Sequence, residues 1–181
     1  SFFFDDDGDI DMFAFNRIGR QLPSADQNDY GNYKFSPNYG GTSYSDVLSK
    51  VDDYYYGQEE ITQKAGFFGK MFGKKDVIVK GEAEGRSDSS DNHPVYIFFL
   101  TDGETWEGNK DLDFINKLLG KRKDVFIQMI GVGSDNFDVL RQVESNNESQ
   151  AAFLNIKDLG SEGDALLGKI ITDKVRKAIQ K

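Results

Sequence analysis

Oxygen-bearing side chains in two loops are the residues of this sequence whose types and positions could do chemistry. Asp102 follows an unbroken apolar run, residues 95–100, and it precedes Gly103. An apolar run without alternation is typical of a strand buried on both faces of a parallel sheet, and ligands bind at the carboxyl ends of such strands. Thr42 follows Gly40-Gly41, just before a helical pattern. A carboxylate and a hydroxyl are the kind of oxygen ligands that Mg²⁺ prefers.

Both residues also have simpler interpretations. Asp102-Gly103 has the composition of an ordinary turn, and Thr42 stands where its hydroxyl would cap the helix that follows. Spacing alone leaves a metal site, a turn and a helix cap open for these two positions.

The sequence has few of the side chains that catalysis commonly requires. The chain has no cysteine and one histidine, His93, which lies beside Pro94 in the polar approach to a strand. Pairs of a nucleophile and a base of the usual kinds therefore cannot be assembled. Asp102 and Glu104 could act as an acid and a base, but nothing in their sequence neighbourhood separates the two roles. We expect a protein that is not an enzyme.

The composition of the chain limits the classes of partner that it can bind. The 181 residues suffice for one domain with a sizeable core, and the formal net charge is −9. We expect no nucleic-acid partner, because phosphate binding needs clustered lysine and arginine. No apolar stretch has the length of a membrane span, and the first residues lack the features of a secretory signal, so a membrane partner is not expected and the expected location is the cytoplasm.

Periodicity predicts the elements that must position the two loops. Strand patterns cover residues 9–16, 95–100, 125–132 and 151–156, and helical patterns cover 44–55, 108–119, a short stretch around 137–143, and 161–179. The predicted helix caps are Ser43 with Asp46 for the first helix and Asp135 or Asn136 for the third. Residues 17–39 read as a surface connection. The alternation of strands and helices predicts an α/β fold with a doubly wound, mostly parallel sheet.

Residues 57–92 are predicted to be an insertion within a single domain that spans residues 1–181. Glycine, phenylalanine and lysine are concentrated between residues 66 and 75, and a polar tail follows. Glycine at this density opposes both helix and strand, so a mobile loop is one interpretation. The alternative is a docking element in which Phe67, Phe68 and Phe72, flanked by lysines, enter a groove of a partner or a membrane surface.

Four segments together resemble a von Willebrand factor A (vWA) domain, and in detail the bacterial TerF type of tellurium-resistance and stress-response proteins. The segments are GGTSYSDVL (40–48), FFLTDGE (98–104), FIQMIGVGS (126–134) and FFFDDDGDIDMFAF (2–15). The resemblance implies a Rossmann-like sheet and a metal-ion-dependent adhesion site (MIDAS), whose threonine and later acidic ligand match Thr42 and Asp102. The family's Asp-x-Ser-x-Ser signature, at the end of its first strand, is not found here. We therefore expect the first strand and helix to be missing from these residues and metal affinity to be weak.

The resemblance also implies a function. We expect a metal-dependent protein-binding module of an intracellular stress-response or tellurium-resistance system, holding Mg²⁺ or another divalent cation such as Ca²⁺ or Mn²⁺. A protein partner would present an acidic residue to the metal, with Glu104 and Trp106 at the rim of the docking face. The alternative is a scaffold protein with a vestigial metal site that docks through the insertion.

Overall fold

The computed structural model describes residues 9–26, 40–57, 61–63, 77–79, 85, 94–158 and 165–179. The chain forms two compact units, one made of Ser1–Leu48 with Asn92–Lys181 and the other of Ser49–Asp91. Phe67, Phe68 and Phe72, predicted to contact a partner, lie outside the described residues.

Strands and helices alternate along most of the described chain. The strands are β1 (Ile10–Ala14), β2 (Arg20–Ala25), β3 (Ile61–Gln63), β4 (Val77–Val79), β5 (Val95–Thr101), β6 (Val125–Val132) and β7 (Ala151–Ile156). The helices are α1 (Tyr44–Tyr56), α2 (Asn109–Lys121), α3 (Asp138–Asn146), α4 (Ala165–Ile170) and α5 (Asp173–Ile179).

The larger unit is built on a parallel sheet with strand order β5-β6-β7. Val95 of β5 pairs with Val125 of β6, and Ile127 of β6 pairs with Ala151 of β7. Seven consecutive residues of β6 are buried, as expected for a central strand that is covered on both faces. The predicted α/β fold with a parallel sheet is confirmed.

β5 differs from the fully buried strand that its apolar run predicted. Phe98 and Leu100 remain 43% and 48% exposed, whereas Phe99 is buried. Within the described sheet β5 has only β6 as a neighbour, so its side chains on one face receive less cover than those of the central strand.

Helices cover both faces of the sheet. On one face, Phe126 and Ala152 pack with Val175 of α5. On the other, the ring of Phe99 lies 5.0 Å from the ring of Tyr44 in α1, measured between centroids. Phe137, at the start of α3, packs on this second face and is completely buried. The site described below lies where the second face meets the carboxyl ends of β5 and β6.

Two local predictions are corrected, the connection 17–39 and the last helix, and one described hairpin lies within the predicted insertion. The predicted connection 17–39 contains β2, which pairs antiparallel with β1, and the register shift between Ile10 and Met12 lies opposite Pro23, a residue without an amide donor. In the predicted insertion, β3 pairs antiparallel with β4. The predicted last helix is two helices, because Thr172 interrupts it and its hydroxyl lies 3.4 Å from the amide nitrogen of Val175, as in a helix cap.

Candidate cation and partner site

The loop that carries Thr42 and the loop that carries Asp102 are in direct contact. The amide nitrogen of Trp106 donates to the carbonyl oxygen of Thr42 over 3.1 Å. The hydroxyl of Thr105 lies 3.2 Å from the same carbonyl oxygen. These contacts join residues more than sixty positions apart, and they bring the first loop to the carboxyl end of β5.

Gly103 marks the position where the side-chain oxygens converge. A Cβ atom on Gly103 would lie 3.9 Å from Oγ1 of Thr42 and 4.0 Å from Oδ2 of Asp135. Asp102, the preceding residue, is exposed. Within the described chain, neither the Thr42 hydroxyl nor the Asp102 carboxylate has a hydrogen-bond partner. The structure thus places the Thr42 hydroxyl beside the turn of Asp102, and it adds Asp135 to the group.

The start of α1 is capped by a residue that the sequence did not predict. The amide nitrogens of Tyr44 and Ser45 donate to the carboxylate of Asp111 in α2 over 3.0 and 2.9 Å, and the Thr105 hydroxyl donates to it as well. Asp46, predicted as part of the cap, instead accepts a hydrogen bond from the amide of Gly19. The cap of α1 therefore comes from another helix. Asp111 is completely buried and accepts hydrogen bonds from amide groups that have no partner within α1.

The charge of Asp111 is stabilised by these donors. Burial by itself would raise the pKa of this carboxyl group, but hydrogen bonds from Ser45, Thr105 and Tyr44 outweigh burial and lower the pKa below its ordinary value. Asp111 therefore remains a carboxylate that holds the Thr42 loop and the start of α2 together.

Glu104 caps α3 in a similar way. Its Oε2 accepts a hydrogen bond of 2.7 Å from the amide of Asp138, and its own amide donates to Oδ2 of Asp135 over 3.2 Å. The predicted caps, Asp135 and Asn136, do not occupy the N-cap position, which belongs to Phe137 in a left-handed conformation with φ of 51°. Since phenylalanine has no capping oxygen, the carboxylate of Glu104 takes that role from another loop.

One oxygen of Glu104 has no described partner. Its Oε1 is buried and makes no hydrogen bond in the described structure. A buried carboxylate oxygen is costly to leave unpaired, so an orphaned oxygen of this kind is typical of a place that takes up a water molecule or an ion. Glu104 was predicted as a rim residue, and the structure places it in the wall of the site, half-buried.

Tyr44 closes the base of the site. Its hydroxyl donates to the carbonyl oxygen of Gly103 over 2.7 Å, and the Thr101 hydroxyl donates to the same oxygen over 2.9 Å. Burial raises the pKa of Tyr44, and the negative charge of Glu104 raises it further. The phenol therefore stays protonated and fixes the backbone of the Asp102-Gly103 turn.

Trp106 lies on the outer side of the site. Three of its ring atoms lie 2.5 to 2.9 Å from the position that a Cβ atom would occupy on Gly41, so the indole packs directly against that glycine. The side chain is nevertheless 75% exposed. The structure places Trp106 against the Thr42 loop, and its role in binding a partner stays a prediction.

The donor set fits a hard divalent cation in its chemistry. Thr42, Asp102 and Asp135 offer a hydroxyl and two carboxylates, and glycine at position 103 keeps the space between Thr42 and Asp135 free of a side chain. Among the described residues, no group of three or more acidic, histidine or cysteine side chains is arranged to hold a metal ion. Protein oxygens of this site would thus supply part of a coordination shell, and Mg²⁺ commonly keeps several water ligands.

The sequence analysis did not predict the places of Asp135 and Asp111 in the site, for different reasons. Asp135 follows the buried strand β6 as Asp102 follows β5, so the rule that parallel strands end at one edge could have found it. The sequence around Asp111 does not indicate a cap for α1, because an acidic residue in the first turn of a helix is common. Its partners in α1 are 66 and 67 residues away in sequence.

The fold and the site define the class of protein. It is an α/β protein with a parallel sheet, helices on both faces, and loops rich in oxygen side chains at the carboxyl edge. A family model, vWA-TerF-like, described as the vWA found in the TerF C terminus, matches residues 1–173, and the chain belongs to this family. Neither a curated protein nor a solved structure matches the chain significantly. In the described part of the chain, no helix is long and apolar enough to cross a membrane.

Proposed function

We propose that this chain is a protein-binding module that works through a divalent cation held at the Thr42 and Asp102 loops. The observation that supports it most directly is the position of the Thr42 hydroxyl, which is turned toward Gly103, the neighbour of the exposed Asp102. A hydroxyl and a carboxylate that make no hydrogen bond with the described part of the chain suit a hard cation such as Mg²⁺, with Ca²⁺ or Mn²⁺ as alternatives.

The cation would offer a coordination position to an acidic side chain of a partner protein. Other residues of this chain would position the two loops and contact the partner. Asp111 and Tyr44 hold the two loops together, and Trp106 offers an exposed ring beside them. We propose a non-catalytic role, since the site has no histidine or cysteine in the described ranges. The family suggests that the module serves a bacterial stress-response or tellurium-resistance system in the cytoplasm.

A magnesium titration followed by two-dimensional NMR tests the proposal. We expect weak, saturable shifts of the Thr42 and Gly103 amide signals in the 181-residue chain. Asp102→Ala is expected to abolish these shifts, because it removes the exposed carboxylate. Asp113→Ala is the matched control, since Asp113 is another exposed aspartate, in α2. The proposal would be contradicted if the shifts persisted in Asp102→Ala but were lost in Asp113→Ala. It would also be contradicted if the unaltered chain showed no shift.

A turnover assay addresses the alternative of an enzyme. A metal-dependent phosphoesterase would hydrolyse generic phosphate esters in the presence of Mg²⁺ and lose that activity in Asp102→Asn. We expect no turnover above that of Asp102→Asn. Turnover that depends on Asp102 would replace the binding role with a catalytic one.

A further inference from the structure

Two exposed side chains pack against the glycine pair that leads to Thr42. Trp106 packs against Gly41, and Arg17 packs against Gly40, with its Cγ and Cδ 3.7 and 3.8 Å from the position of a Cβ atom there. Arg17 is exposed, and Trp106 is 75% exposed. An aromatic ring and a guanidinium group therefore border the same short stretch of backbone.

The turn that carries Arg17 is held in place. The carbonyl oxygen of Asn16 accepts a hydrogen bond of 2.8 Å from the amide of Ser43, and its side-chain oxygen accepts one of 2.9 Å from the amide of Ile18. The first bond joins the β1–β2 turn to the Thr42 loop, and the second closes the turn itself. Arg17 is thus carried by a fixed turn, although its guanidinium has no hydrogen-bond or ion-pair partner within the described ranges.

Trp106 is also held before any partner arrives. Its amide is bonded to Thr42, and one part of its ring rests on Gly41. A large aromatic side chain that is already fixed loses little conformational freedom on binding, which is why tryptophan often dominates protein interfaces. The exposed part of the ring offers apolar area beside the site.

Charge is distributed unevenly around the site. Glu104, Asp111 and Asp135 all act as negative charges on the Tyr44 hydroxyl, and Asp102 adds an exposed carboxylate. Arg17 supplies positive charge beside Gly40, at the start of the Thr42 loop, in a chain whose net charge is −9. A carboxylate of a partner would be repelled on the Asp102 side, except at a cation, and attracted on the Arg17 side.

We propose that Arg17 and Trp106 form a second contact surface for an acidic peptide segment of the partner. In this arrangement Arg17 pairs with a carboxylate and Trp106 covers an adjacent apolar side chain. The inference rests on the proposed function in one respect, since a further carboxylate of the same segment would reach the cation. It specifies the partner as a segment in which acidic residues flank an apolar one.

Defined peptides test the surface. The probe is the acetylated and amidated peptide Gly-Asp-Leu-Glu-Gly, and the neutral peptide Gly-Asn-Leu-Gln-Gly is its control. Binding to the 181-residue chain is followed with Mg²⁺ and with a chelator by NMR shifts, including the indole signal of Trp106, the only tryptophan. We expect saturable binding of the acidic peptide and at least about tenfold weaker binding of the neutral one.

Variants separate the surface from the cation. Arg17→Ala should weaken binding about threefold, and Trp106→Ala about tenfold. Gly41→Ala should reproduce the loss, because its Cβ would displace the indole. Arg20→Ala, which removes another exposed arginine of the same hairpin, should have no effect. Spectra of the free variants establish that each one is folded.

The two proposals can fail independently. Binding that persists with the chelator and depends on Arg17 and Trp106, but not on Asp102, would support the surface and count against the cation. Binding that needs Mg²⁺ and Asp102 but is unchanged in Arg17→Ala and Trp106→Ala would overturn the surface. Equal binding of the acidic and neutral peptides, equal losses in Arg17→Ala and Arg20→Ala, or no binding by the folded chain would also overturn it.

Discussion

Asp111 at the start of α2 accepts a hydrogen bond of 3.0 Å from the amide nitrogen of Tyr44 at the start of α1, 67 residues earlier in the chain. This bond places the Thr42 loop against the end of β5. Seven residues before Asp111, Glu104 caps α3 through the amide of Asp138. The stretch from Glu104 to Asp111, which leads from β5 into the first turn of α2, therefore supplies the caps of two helices and contacts the Thr42 and Asp135 loops.

Removing the Asp111 carboxylate is expected to destabilise the protein. Asp111→Ala would leave the buried amide of Tyr44, the partly buried amide of Ser45 and the Thr105 hydroxyl without their acceptor. We expect a loss of about 2 to 4 kcal/mol in the free energy of unfolding, measured by urea denaturation. Asp113→Ala, an exposed aspartate in the same helix, should change it by less than about 0.5 kcal/mol. Equal effects of the two variants would contradict the capping role.

Stability should also depend on pH through Asp111. Its pKa is lower in the folded than in the unfolded chain, where the ordinary value is 3.8. Its charge therefore contributes stability above that value, and the contribution is lost as the pH falls through the folded pKa. We expect Asp111→Asn to be less stable than the unaltered chain at neutral pH, with a difference that narrows on acidification below about pH 4. A difference that is constant with pH would show that Asp111 acts without its charge.

Tyr44 should remain protonated for as long as the protein is folded. Burial, and then the charge of Glu104, raise its pKa above the ordinary value of 10.0. The raised pKa means that stability is lost as the pH rises above the unfolded value. Tyr44→Phe should cost about 1 kcal/mol at neutral pH, since it loses one hydrogen bond, and should show a weaker loss of stability above pH 10. Ultraviolet titration of the tyrosines, compared between the two proteins, measures the ionisation of the Tyr44 phenol directly.

Glu104 is expected to stabilise the start of α3. Glu104→Gln keeps an oxygen for the Asp138 amide but removes the negative charge at the helix start, which should cost about 0.5 to 1 kcal/mol. Hydrogen exchange should become faster at the Asp138 amide while amides in the middle of α1 keep their rates. Uniformly faster exchange throughout the chain would indicate a global effect instead of a lost cap.

Gly103 offers a test of the space between the oxygens. An alanine Cβ would make contacts of 3.9 and 4.0 Å with Thr42 and Asp135, which are ordinary packing distances. Gly103→Ala should therefore change stability by less than about 0.5 kcal/mol while weakening Mg²⁺ binding, because a methyl group occupies the space beside the Thr42 hydroxyl. The magnesium titration described above measures the affinity. Unchanged affinity in a folded Gly103→Ala chain would place the cation elsewhere.

The sequence predicted the parts of the fold that follow from local pattern. The apolar runs of β5, β6 and β7 and the helical spacing of α1 and α2 indicated a parallel α/β sheet, because buried strands and amphipathic helices have different periods. Local pattern failed at β2, whose Pro23 and polar neighbours suggested a loop. It also failed at the helix caps, where Ser43, Asp46, Asp135 and Asn136 had the right composition but distant carboxylates took the role.

By itself the sequence determined that Asp102 follows a buried strand of a parallel sheet and that Thr42 lies in a glycine-flanked loop before a helix, since hydrophobic periodicity and glycine placement act over a few residues. Only the tertiary structure decided that Asp111 and Glu104 cap α1 and α3, that Asp135 joins Thr42 around Gly103, and that Trp106 and Arg17 pack against the glycine pair. These relationships depend on packing between segments far apart in the chain. A hydrogen bond between such segments leaves no periodic trace in the order of the amino acids.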